Sequence, residues 1–334
     1  MNRREFLVGL AALWAESVRA QVGPRAGKLA QVGIYLTSPP ETLQQHYVQL
    51  FMKEMTALGW TEGISLNYQH VYAPRHLRWP DHKAEMIALA RSLADRKPDV
   101  IWLASSMSAT AMLNVTRTIP VVGGAVSEVV ERGFAKTMAR PGGNFTGISN
   151  FAWELGAKRF QLVHEMVPKL ARVGVLMHPK NPNCLRELKV IEEAAGRVRV
   201  SVVRAMMERE DQLDAAFEDL VKQRAEAVLI AHLPLFQNYR KPILKRAAEL
   251  RLPVVGHRTF FAEDGALLAY SSVLDEQMRR SAHLVDKILK GTPPGEIPIE
   301  QPTKFELVIN RRAAKALGLV IPESLLVQAD RIIE

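Results

Sequence analysis

The sequence predicts an α/β protein made of two doubly wound parallel-sheet lobes joined by a hinge. Three observations lead to this prediction. The phrase KLAQVGIYL at 28–36 returns as KLARVGVLM at 169–177. A helix followed by a strand recurs at one fixed spacing in both halves, and a Pro-Gly-rich segment at 140–147 separates them. Short apolar strands that alternate with amphipathic helices are typical of parallel sheets covered on both faces.

Each copy of the repeated phrase predicts a strand followed by a helix. In the first copy the strand is 32–36, and the helix that follows has apolar residues at offsets 0, 3, 4, 7 and 10 from Val48. In the second copy the strand is 173–177, and the next helix places Leu185, Leu188, Ile191 and Ala195 on one face. Offsets of three and four residues are the spacing of an α-helical face.

The next unit repeats more strictly. Apolar residues at offsets 0, 3, 4, 7 and 8 begin at Met86 in the first half and at Leu213 in the second, 127 residues later. Strands 100–103 and 227–230 follow at the same 127-residue spacing. Strands 119–123 and 252–256 come next, at a spacing of 133. One spacing held through a helix and its strand indicates two lobes of the same architecture.

The last third departs from the repeat. It predicts a helix at 275–289, a break at 292–295, a strand at 305–309 and a helix at 311–317 that Gly318 ends. These additions suggest further crossings between the lobes. The first lobe is therefore expected at 28–147 plus about 273–299, and the second at 148–272 plus about 300–334.

The N-terminus resembles an export signal. Arg3-Arg4 begins a twin-arginine-like Arg-Arg-x-Phe-Leu pattern, and an apolar run from Phe6 to Ala15 follows. Small residues then precede Gln21, so residues 1–20 are expected to be cleaved near Ala20. The apolar run is about half of the roughly 20 residues that a membrane span needs. These features predict a periplasmic monomer, and a frayed cytoplasmic N-terminus is the alternative.

Composition narrows the function further. The formal net charge is +9, but no Lys/Arg block exceeds a pair, so a solvated basic surface is favoured over nucleic-acid binding. The single cysteine, Cys184, forms no internal disulfide. The sequence has no metal-binding spacing, phosphate loop, dinucleotide fingerprint or Gly-x-Ser-x-Gly motif. We therefore expect no cofactor, no resident metal and no enzyme activity.

Longer phrases resemble the substrate-binding proteins of ABC-type import systems, a group once catalogued as a domain of unknown function. The matching phrases are ARPGGNFTG (139–147), VDKILKG (285–291), EQPTKFELVIN (300–310), AKALGL (314–319) and ADRIIE (329–334). The resemblance implies a periplasmic-binding-protein fold of the ribose-binding type. It also implies capture of a small-molecule solute by hinge closure, for an ABC permease in the inner membrane. Aromatic amino acids are among the ligands of some members.

The sequence departs from the family pattern where ligands are expected to bind. Ser127-Glu128-Val129-Val130 replaces Gly-Asp-Pro-Val, 105–108 reads Ser-Ser-Met-Ser instead of Gly-Gly-Thr-Pro, and His178-Pro179 replaces Asn-Pro. These changes do not identify the solute. Together with the basic and hydroxyl groups at the strand ends, they predict a small carboxylate- or amino-acid-like solute, with or without an amine.

Candidate ligand-binding residues stand where strands end. They are Ser105, Ser106, Ser108, Glu128, His178, His232, His257 and Arg258. Serines at a helix N-terminus favour an anion, although plain helix capping explains them equally. Glu128 is expected to accept a ligand amine or hydroxyl, or to be a solvated loop carboxylate. The three histidines follow strands expected to be neighbours, and as imidazolium they would hold a carboxylate until the pH rises through about 6.5.

Other interpretations of these residues, and of the whole chain, remain. The histidines can instead bind a transition metal, or be unrelated loop residues. An α/β enzyme using His178, His232 and His257, or an orphan ligand sensor without a permease, is the alternative function. The ligand-sensing domain of a transcription repressor shares this fold, but fewer than 32 residues precede the first strand and they resemble a leader.

Overall fold

The chain folds into two compact units. The computed structural model describes residues 29–37, 43–74, 82–150 and 153–334. The described residues up to Asn150 form unit 1 together with Leu274–Pro302, while Phe151–Val273 and Thr303–Glu334 form unit 2. The chain therefore passes from one unit to the other three times. The predicted leader, residues 1–20, lies outside the described residues.

Unit 1 is a five-stranded parallel sheet with helices. Its strands are β1 (Ala30–Leu36), β2 (Leu66–Tyr72), β3 (Val100–Leu103), β4 (Val121–Val126) and β5 (Phe145–Ser149). Its helices are α1 (Leu43–Ala57), α2 (Lys83–Ala94), α3 (Ser106–Leu113) and α10 (Leu274–Leu289). The strands lie in the order β2-β1-β3-β4-β5. All four residues of β3 are fully buried, as expected of a strand covered on both faces.

Unit 2 holds a seven-stranded sheet. Its strands are β6 (Arg172–Met177), β7 (Ser201–Met206), β8 (Ala227–Ile230), β9 (Val254–Gly256), β10 (Leu268–Ser272), β11 (Phe305–Asn310) and β12 (Arg331–Ile333). Its helices are α4 (Gly156–Met166), α5 (Pro182–Arg197), α6 (Leu213–Lys222), α7 (Pro234–Asn238), α8 (Arg240–Glu249), α9 (Thr259–Glu263), α11 (Arg311–Leu317) and α12 (Glu323–Gln328).

The same strand order occurs in both units. The unit 2 sheet reads β7-β6-β8-β9-β10 and then adds β11 and β12 at one edge. Its first five strands therefore repeat the order of unit 1, and all five are parallel. β11 runs antiparallel to β10, and it follows the chain's last return from unit 1 without a crossover helix before it. The prediction of parallel α/β sheets with doubly wound order is confirmed.

Helix α10 completes the core of unit 1. Its buried residues Met278, Ala282 and Val285 pack in one apolar cluster with Val32 and Trp102 of the sheet. The indole Nε1 of Trp102 donates to Ser281 Oγ at 2.8 Å, so the one polar atom of this large side chain is satisfied. The helical face predicted at 275–289 is therefore a packing face.

Two predicted helix faces are narrower in the structure than in the sequence pattern. Leu185 on α5 is 46% exposed and Val221 on α6 is 49% exposed. On α5 the buried positions are instead Cys184, Glu187 and the apolar residues that follow. A charged residue, Glu187, thus lies on the buried face of α5, which the sequence pattern did not predict.

Glycine is required at the end of β9. A Cβ on Gly256 would lie 2.2 Å from Cβ of Phe261, which is far inside van der Waals contact. The ring of Phe261 packs against His257, with ring centroids 4.8 Å apart. The backbone that carries His257 therefore packs closely against α9 and has little freedom to shift.

No helix among the described residues is long and apolar enough to cross a membrane.

Candidate functional site

Polar side chains gather at the carboxyl ends of the strands in unit 2. In doubly wound sheets ligands bind outside these ends, at the point where the strand order reverses. In unit 2 that point lies between β6 and β8. His178 follows β6, His232 lies two residues after β8, and His257 follows β9, so three neighbouring strands carry the histidines.

His232, His257 and Arg258 form one cluster. The two imidazole rings lie edge to face with centroids 4.8 Å apart. The guanidinium Nη2 of Arg258 lies 2.9 Å from Nε2 of His232. Because a guanidinium only donates, Nε2 of His232 must accept, and this ring is neutral. His257 Nδ1 lies 3.3 Å from the carbonyl oxygen of Ile230, which only accepts, so Nδ1 carries a proton.

Burial and neighbouring cations keep both rings neutral. Burial, followed by the charges of Arg258 and Arg159, lowers the pKa of His232 well below its usual value. Burial is also the main cause of the lowered pKa of His257, with His232, Arg159 and Arg258 contributing. The lowered pKa values argue against the imidazolium form of these two side chains even below pH 6.5. The positive charge belongs to the arginines.

A buried ion pair lies beneath this cluster. Nη2 of Arg159 on α4 donates to Oε1 of Glu187 on α5 at 2.5 Å, and both side chains are at most 2% exposed. The other Glu187 oxygen accepts from the backbone N–H of His232 at 2.7 Å. Arg159 Nη1 also donates to the carbonyl of Tyr270 at 3.3 Å. Burial raises the pKa of Glu187, and Arg159 opposes that rise.

The pair was missed in the sequence, although each helix carries a signal for it. Arg159 falls on the apolar face of α4 with Phe160 and Val163. Glu187 falls on the apolar face of α5 with Cys184 and Leu188. One charged residue at an apolar position of a helix does not by itself reveal its ion-pair partner in the sequence. Two such residues on neighbouring helices, with opposite signs, indicate a buried pair.

The cluster is rich in buried charged groups. Arg159 and Arg258 contribute two guanidinium groups, Glu187 contributes one carboxylate, and the two histidines are neutral. All three charged side chains are less than a tenth exposed. A guanidinium matches a carboxylate in both charge and geometry, which makes Arg258 a candidate for contact with an anionic group.

His178 lies apart from the other two histidines. It is half-exposed, and its Nδ1 accepts from the backbone N–H of Lys180 at 3.2 Å. The Lys180 ammonium pairs with Glu208 at 3.1 Å. Within the described part of the chain, no hydrogen bond or ring contact links His178 to His232 or His257. The structure thus brings two of the three predicted histidines together.

The serines of unit 1 cap helix α3 and brace a loop. Ser105 accepts from the Ser108 backbone N–H at 3.2 Å and lies 2.8 Å from the Ser108 hydroxyl. Ser106 accepts from the Ser127 N–H at 2.9 Å. Ser108 is fully buried. Thr37, which follows β1, lies 3.4 Å from Ser105, so these hydroxyls span the β1–β3 reversal point of this sheet. Ser105 is therefore the N-cap of α3, Ser108 is its partner, and Ser106 holds the loop at Ser127.

Glu128 is held within its own loop. Its backbone is left-handed, with φ of 58°, and its carboxylate pairs with Arg132 at 2.8 Å. The side chain is only 5% exposed, so it is not a solvated loop carboxylate. An amine of a ligand would have to compete with Arg132 for this group.

Two further features set limits on the site. Among the described residues, no three His, Cys, Asp or Glu side chains are arranged to hold a metal ion. A surface depression of about 270 Å³ lies in unit 2, lined by Arg311, Ala314, Lys315, Leu319, Ile321 and Leu326. None of these residues belongs to the histidine–arginine cluster.

The lowered histidine pKa values predict a loss of stability in acid. Below about pH 6.5 His232 and His257 become protonated in the unfolded chain, whereas both rings stay neutral in the folded protein because their pKa values are lowered. The free energy of unfolding should therefore fall as the pH drops from about 7 to 5. Urea unfolding at each pH measures this, and His257→Phe should show a shallower fall than the parent protein. Equal slopes for the two proteins would contradict neutral burial of His257.

Comparison with known proteins agrees with this architecture. A family model described as "ABC transporter substrate binding protein" matches residues 76–333. The chain is 24% identical over 271 residues to a tyrosine-binding protein of Clostridioides difficile, covering 80% of this chain and 75% of that protein.

Solved structures show the same fold. A conserved domain protein from Vibrio cholerae is 24% identical, with a TM-score of 0.80 over 91% of this chain and 100% of that one. The ABC domain from Streptococcus pneumonia in complex with L-Trp is 17% identical, with a TM-score of 0.80 over 92% of this chain and 100% of that one. The fold is that of periplasmic binding proteins of the ribose-binding type. The chain, matched over most of its length, therefore belongs to the ABC transporter substrate binding protein family.

Proposed function

We propose that this protein is an exported receptor that captures a small carboxylate-bearing solute for an ABC permease of the inner membrane. Family membership supports solute binding. The twin-arginine-like leader in residues 1–20 supports export to the periplasm. Closure of the two units on the solute is part of the proposal, because hinge closure is the usual response of periplasmic binding proteins.

The buried cluster at the ends of β8 and β9 carries the proposal. Arg258 is 7% exposed and donates a hydrogen bond to His232. Both residues lie at the carboxyl ends of the strands, where ligands bind in doubly wound folds. The buried Arg159–Glu187 ion pair and the hydrogen bond to His232 help to hold this part of unit 2 in place. A carboxylate is the small group that matches a guanidinium in both charge and geometry. Two similar proteins are described as binding tyrosine and L-Trp, and both of these ligands have a carboxylate.

The test is a calorimetric titration of the purified protein with acids and the matching amine. The acids are 3-(4-hydroxyphenyl)propanoate, its 2-hydroxy derivative and L-tyrosine, and the amine is tyramine, which has the same ring without the carboxylate. At least one acid should bind, and tyramine should not. Tyramine binding as tightly as the best acid would contradict recognition of a carboxylate.

The same samples separate a receptor from an enzyme. The contact between the rings of His232 and His257 is the observation that favours the enzyme alternative. A receptor returns each acid unchanged after prolonged incubation, whereas an α/β enzyme that uses these histidines converts it. Small-angle scattering at saturation should show a smaller radius of gyration, and an unchanged value would contradict closure.

A further inference from the structure

Four turns of unit 2 have a cation in the left-handed region of the backbone. Lys169, Arg199, Arg224 and Arg251 have φ of 58°, 59°, 57° and 53°. Each stands between a helix and the strand that follows it: α4 and β6, α5 and β7, α6 and β8, and α8 and β9. Glycine is the residue usually found at such positions, because a Cβ is strained there. A cation at all four turns is therefore not explained by backbone geometry.

Three of these turns end their helices in the same way. The N–H of Arg224 donates to the carbonyl oxygen of Val221, and the next N–H donates to that of Leu220, both at 2.9 Å. The turns at Arg199 and Arg251 have the same two hydrogen bonds, reaching back three and five residues. This is the Schellman pattern of a helix C-terminus. The helix before each turn therefore fixes the backbone that carries the cation.

The four turns lie side by side at one end of the sheet. β7, β6, β8 and β9 are neighbours and run parallel, and each cation lies two or three residues before its strand begins. Neighbouring strands are about 4.8 Å apart, so the row spans roughly 15 Å. This end of the sheet is opposite to the carboxyl ends, where the candidate solute site lies.

This end of unit 2 is positively charged. All four cations are exposed, and so is Arg172, the first residue of β6. Within the described part of the chain, none of these five side chains forms an ion pair, and Arg251 donates to a backbone carbonyl oxygen. Of the acids nearby, Glu226 accepts two backbone N–H groups and Glu249 pairs with Arg246. The row of cations thus has no matching row of acids.

The uncharged residues around the cations indicate the kind of partner. The turns at 167–171, 197–200, 222–226 and 249–253 contain no aromatic residue on which a nucleic-acid base could stack. The exposed apolar side chains are single valines: Val198 beside Arg199, and Val221 in the last turn of α6. Two separate valines do not form the apolar centre of a protein interface. A membrane surface needs neither feature, since its anionic headgroups are mobile and its acyl boundary accepts aliphatic side chains.

We infer that this basic face of unit 2, formed by the turns at Lys169, Arg199, Arg224 and Arg251, binds the anionic headgroups of a lipid bilayer. The inference goes beyond the proposed function and does not depend on which solute the protein binds. It places the lipid at the amino ends of the strands, so the carboxyl ends, with the candidate solute site, stay free of the bilayer.

Cosedimentation with vesicles tests the inference. The purified protein is mixed with vesicles of phosphatidylglycerol and phosphatidylethanolamine in equal parts, or with vesicles of phosphatidylcholine alone. At about 0.1 M salt it should bind the first and not the second, and about 1 M salt should release it, because the Debye length falls from about 10 Å to about 3 Å. Each cation near an anionic surface contributes about fivefold in affinity, so Arg199→Gly with Arg224→Gly and Arg251→Gly should weaken binding roughly a hundredfold.

Glycine is chosen for these positions because it preserves the fold. It adopts a left-handed backbone without strain, so the triple variant should resist urea at least as well as the parent protein. Asparagine also enters this region of the backbone, and the three asparagine substitutions should cause the same loss of binding. Residues 1–20 are identical in all variants, so a difference between them arises in unit 2.

A second triple variant controls for net charge. Arg204→Gln, Arg209→Gln and Lys241→Gln remove three exposed cations of the same unit that lie outside the basic face, and this variant should bind vesicles as the parent does. An equal loss of binding in this control would overturn the inference, because net charge alone would then explain it. Equal binding of the parent to both kinds of vesicle, or to neither, would also overturn it. Duplex DNA that binds at a salt concentration that releases the vesicles would assign the face to nucleic acid instead.

Discussion

Replacing Glu187 by leucine is expected to lower the free energy of unfolding by about 3–5 kcal/mol. The substitution leaves Arg159, which is 2% exposed, as a buried cation without its carboxylate. It also removes the acceptor of the His232 backbone N–H. The cost comes from the guanidinium that stays buried after it loses its carboxylate partner, because hydration does not replace that partner. Urea unfolding of parent and variant measures the difference.

A double replacement separates this cause from simple loss of packing. Arg159→Met with Glu187→Leu removes both charges and keeps apolar volume, so it should be far less destabilising than Glu187→Leu alone. The control is Glu192, which lies on the same helix as Glu187 and forms an exposed ion pair with Arg204 of β7. Glu192→Leu should lower the free energy of unfolding by less than about 1 kcal/mol. If the double variant were as unstable as the single one, the buried charge would not be the cause.

Arg258→Met is expected to weaken binding of the preferred carboxylate by roughly ten- to a hundredfold. A hydrogen bond to a charged group contributes about 1.5–3 kcal/mol, and each 1.4 kcal/mol is tenfold in affinity. Methionine fills similar space, and the Arg159–Glu187 pair stays intact, so the fold should persist. Calorimetry at pH 7 measures the loss.

A matched arginine provides the control for that substitution. Arg209→Met removes a cation of the same unit that is 70% exposed and pairs with Asp211, and it should not change the affinity. Arg258→Lys should bind better than Arg258→Met but worse than the parent protein, because lysine keeps the charge without the paired donors. If Arg258→Met binds within twofold of the parent, the carboxylate is not held by this guanidinium.

The fold was predictable because its signals are periodic. The strand and helix patterns of the two halves, offset by 127 residues, gave the repeat, and the duplicated strand order of the two sheets matches it. Gly318 ends α11 as predicted, with a left-handed φ of 72°. Periodicity does not distinguish which apolar residue of a face is covered, so the exposed positions of Leu185 and Val221 were not foreseen.

The site was only partly predictable. Strand ends and strand order predicted that His232 and His257 would approach each other, and they do. Protonation could not be read from the sequence, because it depends on the burial of both rings and on the hydrogen bond from Arg258. The partners of Glu187 are distant in sequence, so its role needed the packing of α4 against α5. Whether these residues contact solute stays a prediction.

The position of α10 in the chain sets the order in which the protein can acquire its structure. Met278, Ala282 and Val285 seal the core of unit 1, yet the whole continuous segment of unit 2 is synthesised before them. In a nascent chain that has emerged as far as Val273, the same apolar face of the N-terminal sheet is therefore covered by α1 alone. Contacts this distant in sequence slow folding, and the part of the face that awaits α10 is exposed apolar surface of the kind that makes incomplete chains prone to aggregation.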